Sequence, residues 1–205
     1  MREVAPTRSS ALELADERKL MRQGYEFLDE KRTLLAGEML RQLALYQRLA
    51  GALVEQAASA ARALAAAVER HGLDNLQVYP VPSTPPKQAP GARTSFLGVS
   101  LVAAPPPSPA SEPPSALDPS PEVAACRAAF EDLLSIAAEV GAATGNLQRL
   151  AREYRRTDRR AKALENVLLP ELQETIKSID EQLDTLDREE AMHARWSSGA
   201  KTGLR

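Results

Sequence analysis

The stretch Arg155–Glu190, RRTDRRAKALENVLLPELQETIKSIDEQLDTLDREE, decides the fold. It is dense in charge and holds a single proline, Pro170. Apolar or small residues recur along it, mostly at alternating steps of four and three: Thr157, Ala161, Leu164 and Leu168, then Leu172, Ile176, Ile179, Leu183 and Leu186. That rhythm lays one narrow seam along a helix, as in a coiled coil. From Leu168 to Ile179 the spacing stretches to eleven residues, which relaxes the supercoil locally. Pro170 falls in this gap. A proline inside a helix removes a hydrogen bond and usually kinks it, so a bend is expected near Leu168–Pro170.

Toward the N-terminus, Leu133, Ala137, Val140, Thr144, Leu147, Ala151 and Tyr154 keep the same rhythm. The arm opens at Ser120-Pro121-Glu122: a capping serine, a proline at the first helical position and an acid at the positive end of the dipole. A second arm lies near the start of the chain. Leu14, Met21, Leu28 and Leu35 recur every seven residues, and Tyr25, Met39, Tyr46, Leu49 and Leu53 fill the intermediate steps. Ser10-Ala11-Leu12-Glu13 fits a capping box at its start. Gly72 after His71 fits a left-handed stop. Leu20, Phe27 and Leu34 form a neighbouring stripe, for which core packing is the ordinary reading and a partner-binding face the alternative.

All prolines except Pro6 and Pro170 fall between Pro80 and Pro121. The expected division is a first arm at 1–75, a proline-rich middle at 76–120, a second arm at 121–198 and a tail at 199–205. Within the middle, Leu76–Val81 and Thr94–Val102 are β-type runs from which a small hairpin can form, and Pro105–Pro119 reads as a tether. The expected fold is therefore all-α: a long antiparallel two-helix coiled coil with a short irregular or β-hairpin, proline-rich middle segment. The seven-residue repeat makes the coil left-handed.

Composition narrows the function. Aromatics make up 4% of the 205 residues, too few for a large globular core. The net charge of −2 argues against binding nucleic acid through bulk charge. Cys126 is the only cysteine, so no internal disulfide forms and a reducing compartment fits. The opening MREVAPTRSS lacks the apolar core of a signal peptide. The weakly polar run Ala57–Val68 is too short and broken to cross a bilayer, so no direct membrane insertion is expected. His71 and His193 have no metal-ligand partner at useful spacing. Gly141 and Gly145 are not followed by the Lys-Ser or Lys-Thr of a phosphate loop. No catalytic grouping and no cofactor site is expected.

The basic cluster Arg149, Arg152, Arg155, Arg156, Arg159, Arg160 and Lys162 is the main recognition candidate. Glu153, Asp158 and Glu165 are interspersed and only Tyr154 could stack on a base, so no nucleic-acid partner is expected. A solvated helix face is the ordinary reading of such a run. Arg159 and Arg160 nevertheless flank the seam, where charges set partner choice.

One resemblance runs through these residues. Arg155, Arg156, Thr157, Arg159, Arg160, Ala163, Leu164 and Glu165, then Pro170 with Leu172, then Leu183, Arg188, Glu189 and Glu190 follow the second long helix of a known family. Pro6-Thr7-Arg8, Arg22, Gly24, Leu28, Lys31 and Arg32 agree with its first. The chain resembles the D subunit of the V-type/A-type rotary ATPases. Asp158, Ala161 and Lys162 depart from the family's usual Asn, Val and Asn. Gly98-Val99 resembles its short hairpin region, while Pro105–Pro121 looks like an expanded loop.

The resemblance implies a non-catalytic central rotor shaft. It would couple ATP synthesis or hydrolysis in the hexamer of A and B subunits to ion translocation through the membrane ring. The F subunit and a membrane-ring adaptor subunit would be further partners, and the chain would lie at the cytoplasmic face of the membrane, peripheral through its complex. Leu14, Met21, Leu28, Leu35, Leu164, Leu168, Ile179, Leu183 and Leu186 would hold the arms together. Arg8, Lys31, Arg32, Arg159, Arg160, Arg188 and Glu189 are the candidate partner contacts. The competing expectation is an unrelated adaptor or scaffold that self-associates through the same seam.

Overall fold

The computed structural model describes residues 5–77, 79, 91–105 and 119–202. The fold is all-α with one small hairpin. Its elements are α1 (Arg8–His71), the short α2 (Leu73–Gln77), strands β1 (Arg93–Phe96) and β2 (Val99–Val102), α3 (Pro121–Ala163), a π-helical turn (Leu164–Leu168) and α4 (Leu169–Thr202). Two compact units form. One comprises residues 1–33 and 155–205, the other residues 34–154. Each therefore draws on both arms.

Local chemistry sets the ends of the helices. At the start of α1 the cap is Thr7 rather than Ser10. The Ser10 amide donates to Thr7 Oγ1 at 3.1 Å, and the two hydroxyls lie 2.6 Å apart. The helix thus begins three residues before the sequence signal, because a threonine was already in place to hold its free amides. At the other end Gly72 takes φ +76° and its amide bonds the Val68 carbonyl. This left-handed step favours glycine. At the start of α3 the Val123 amide reaches Ser120 Oγ at 3.3 Å.

Within the unit 1–33/155–205, partners run in opposite directions. Arg8 bonds Asp187, Arg32 bonds Asp158, and a side-chain carbon at Gly24 would stand 3.8 Å from Leu164. Rising numbers on α1 meet falling numbers on the closing arm, so the pairing is antiparallel. Leu14, Thr157, Ala161 and Ile179 are buried in this unit.

The π turn explains how the chain passes Pro170. The Leu169 amide donates to the Leu164 carbonyl, five residues back. Pro170 has no amide hydrogen for the Asn166 carbonyl, and its ring would crowd that carbonyl in an α-turn. Widening the turn relieves the conflict and lets the helix continue, at the cost of one extra residue in the seam's register.

Within the unit 34–154 the pairing is again antiparallel. Gln56 Nε2 donates to the Ala129 carbonyl at 3.2 Å, Arg70 bonds Glu122 at 2.9 Å, and His71 Nε2 lies 2.7 Å from Ser120 Oγ. The hairpin forms within the second β-type run and the one residue before it, with Phe96 opposite Val99 and Arg93 opposite Val102. Its two-residue turn, Leu97-Gly98, has positive φ at both positions (49° and 85°), the turn whose twist suits a hairpin. The start of the first run, Leu76–Val81, is instead helical, ending α2. There the Leu76 amide bonds the Gly72 carbonyl, and Asn75 Nδ2 bonds the His71 carbonyl. The rest of that run, apart from Tyr79, and most of the expected tether lie outside the described residues.

The hairpin helps to build the core of this unit. Val99 and Leu101 turn inward onto Leu35 and Leu150, both fully buried, with Met39, Phe96 and Tyr154 around them. Asn146, 6% exposed, fixes the docking. Its Oδ1 accepts from the Val102 amide at 2.8 Å and its Nδ2 donates to the Val102 carbonyl at 3.0 Å. One helix side chain thus supplies both bonds that a third strand would give.

Candidate functional site

In the unit 1–33/155–205, the motif Arg155–Lys162 divides by helical geometry. Thr157 and Ala161, four residues apart, point inward and are buried. Asp158 lies at the edge of the seam. It accepts from Arg32 Nη1 at 3.1 Å across to α1 and from Lys162 Nζ at 2.8 Å along its own helix. Arg32 is also held by Asp29. Arg155, Arg156, Arg159 and Arg160 face solvent.

The electrostatics follow from these contacts. The Asp158 carboxyl is held below its ordinary value, first by the Lys162 hydrogen bond; partial burial opposes this and Arg32 adds to the lowering. Tyr25 moves the other way. Burial raises its phenol above the ordinary range, and the Glu165 carboxylate, to which it hydrogen-bonds, raises it further. In the other unit Glu122 is lowered, first by its bond to its own backbone amide at the start of α3, with Arg70 also contributing.

The candidate contact residues fall into distinct groups. Arg32 is engaged within the chain by Asp29 and Asp158. Arg8 pairs with Asp187 at 2.9 Å, but both side chains are more than half exposed, so the pair contributes about 0–1 kcal/mol. Lys31 is half-buried. Arg159 and Arg160 are exposed and form no ion pair with a described residue. Arg188 and Glu189 are exposed on α4, where Glu189 borders a shallow open recess with Met192, His193 and Trp196.

Of the expected seam residues, Leu14, Leu35 and Ile179 are buried, while Met21, Leu28, Leu164 and Leu183 are half-buried. Leu168 and Leu186 depart from the pattern, at 38% and 46% exposed. Leu168 lies in the π turn, where the extra residue rotates it off the seam. Leu186 lies beside Asp187, the partner of Arg8, the first residue of α1, so among the described residues no helix on the facing arm reaches past it. The second stripe is not core. Leu20 and Phe27 are 67% and 66% exposed, and Leu34 is also exposed. These three sit one position before the seam residues, about 100° around the helix, beyond what one partner helix covers.

Asn146 carries the hairpin contact, yet its role is not visible in the sequence. Its partner Val102 lies 44 residues away, and a lone asparagine within a helix has no distinguishing spacing. Among the described residues no group of three His, Cys, Asp or Glu side chains could hold a metal ion. No described helix is long and apolar enough to cross a membrane.

Comparison with known proteins adds an independent line. Residues 10–198 match the family model of the ATP synthase D subunit. The D subunit of the V-type ATP synthase of Thermotoga neapolitana is 30% identical over 194 residues, covering 91% of this chain and 93% of that protein. The D subunit of the A-type ATP synthase of Pyrococcus furiosus is 27% identical over 190 residues, covering 91% and 89%. Its counterpart in the A-type ATP synthase of Desulfurococcus sp. is 40% identical over 60 residues, covering 29% and 28%.

Proposed function

Because the chain belongs to the ATP synthase D-subunit family, we propose that it is the central rotor shaft of a V/A-type rotary ATPase. It turns within a hexamer of A and B subunits, binds the F subunit, and meets the membrane-ring adaptor. In this reading the chain does no chemistry of its own. It couples ATP synthesis or hydrolysis to ion translocation and lies at the cytoplasmic face of the membrane through its complex.

The observation that supports this reading best is the antiparallel pairing of opening and closing arms in each unit. Two helices zipped by interlocking side chains resist twisting. An asymmetric shaft that touches each surrounding site differently biases their conformational populations. Linkage makes the bias reciprocal: ion flow shifts nucleotide affinities, and nucleotide turnover drives the shaft. Within this picture the seam leucines hold the arms together, while Arg8, Lys31, Arg159, Arg160, Arg188 and Glu189 are contacts for the sleeve or the F subunit. Arg32 acts through Asp158, as a brace between the arms.

Co-purification with the F subunit tests the proposal. A stable one-to-one complex at micromolar concentration is expected. Failure to form one, or a stable homodimer by light scattering, counts against the shaft.

A further inference from the structure

We infer that Arg155, Arg156, Arg159 and Arg160 form one docking surface for an acidic protein segment whose carboxylates supply their missing counter-charge. The inference rests on the shaft reading for the setting of the partner, and on the geometry of this band for its chemistry.

Four observations carry it. The four guanidiniums are exposed and form no ion pair with a described residue. They occupy six consecutive residues, about 8 Å of helix axis. Arg155 and Arg159 are four residues apart, as are Arg156 and Arg160, so each pair places like charges side by side on the helix surface, which is destabilising. The only acid between Tyr154 and Leu164 is Asp158, and it is occupied by Arg32 and Lys162. Among the described residues no ion pair relieves the repulsion.

The band is also held in a fixed orientation. Buried Thr157 and Ala161 anchor the opposite face of the same two turns. Asp158, bonded across to α1, sets their rotation about the axis. A row of planar forks on an anchored backbone matches carboxylates two atoms at a time. Nucleic acid fits less well, because nothing aromatic is interleaved in the band to stack on bases. Tyr154, the residue before it, packs on the Leu35 and Leu150 cluster.

The test uses the full chain and a complex of A, B and F subunits assembled around it. Affinity is measured across a range of salt for the unaltered chain, for the double variant Arg159→Gln/Arg160→Gln, and for Arg159→Lys/Arg160→Lys. Because the changed side chains are exposed, melting followed by circular dichroism should show no loss of stability in either, and a small gain in the glutamine variant, which loses the like-charge pairs with Arg155 and Arg156. The unaltered chain should bind less tightly as salt rises. The glutamine variant should lose at least tenfold in affinity at low salt and show a flatter salt dependence. The lysine variant should keep the salt dependence while recovering affinity only in part, since lysine keeps the charge but not the fork. A glutamine variant that binds like the unaltered chain at every salt concentration overturns the docking surface and leaves the shaft reading standing. Failure of the unaltered chain to assemble removes both. Tighter binding of the unaltered chain to single-stranded RNA than to the subunits overturns the acidic-protein partner in favour of nucleic acid.

Discussion

Replacing Asn146 with alanine should release the hairpin from α3. The side chain makes two bonds to Val102, at 2.8 and 3.0 Å, and is itself 6% exposed. Alanine would leave the Val102 amide and carbonyl without partners. An orphaned buried polar group costs about 1–3 kcal/mol. Val102 is only half-buried, so water can reach part of what is lost. The low end of that range, about 1–1.5 kcal/mol, applies to each group, or about 2–3 kcal/mol in all. The loss should appear locally, since hairpins open as cooperative sub-units. Hydrogen exchange at the Val102 amide reads it directly: about 2.5 kcal/mol corresponds to a loss of protection of roughly 70-fold. Asn146→Asp should fall between, because a carboxylate still accepts from the amide but cannot donate to the carbonyl. Equal protection of Val102 in the alanine variant would refute the reasoning.

Other perturbations probe separate parts of the molecule. Leu35→Ala removes a fully buried side chain from the cluster with Val99, Leu101 and Leu150, and should cost about 2–5 kcal/mol in a urea titration. Leu97→Asn should stabilise the hairpin by up to about 1 kcal/mol, because Leu97 sits at φ 49° and asparagine tolerates that region better; an unchanged or lower midpoint would contradict it. The lowered carboxyl of Asp158 contributes stability that is fully present above its ordinary value of 3.8 and is lost as pH falls through the lowered folded value. Asp158→Asn should accordingly flatten the fall in melting temperature below about pH 4; an unchanged acid limb would remove this carboxylate from the account.

Much of the fold is legible in the sequence because it rests on local chemistry. The seven-residue repeat, the glycine stop at Gly72 and the Ser120-Pro121-Glu122 start each act within a turn or two of themselves. What sequence periodicity hides is how wide a face one partner helix covers. Leu20 and Phe27 look like core and stand in solvent, because a single opposing helix buries only a narrow strip. Pro170 announces a disturbance, but not that a π turn would absorb it and carry Leu168 off the seam. Asn146 is hidden for a different reason: its meaning comes from a strand end 44 residues away. The motif Arg155–Lys162 is intermediate. Its residues are conspicuous, but only the structure separates the inward Thr157 and Ala161 and the bracing Asp158 from the four exposed arginines.

Single-molecule rotation tests the central claim most directly. A bead is fixed to this chain in an assembly whose A and B subunits are tethered to a surface, and ATP is added. The account requires the bead to turn continuously in one direction, at a rate that follows nucleotide turnover. A bead that stays still while the same molecules hydrolyse ATP at full rate would contradict it.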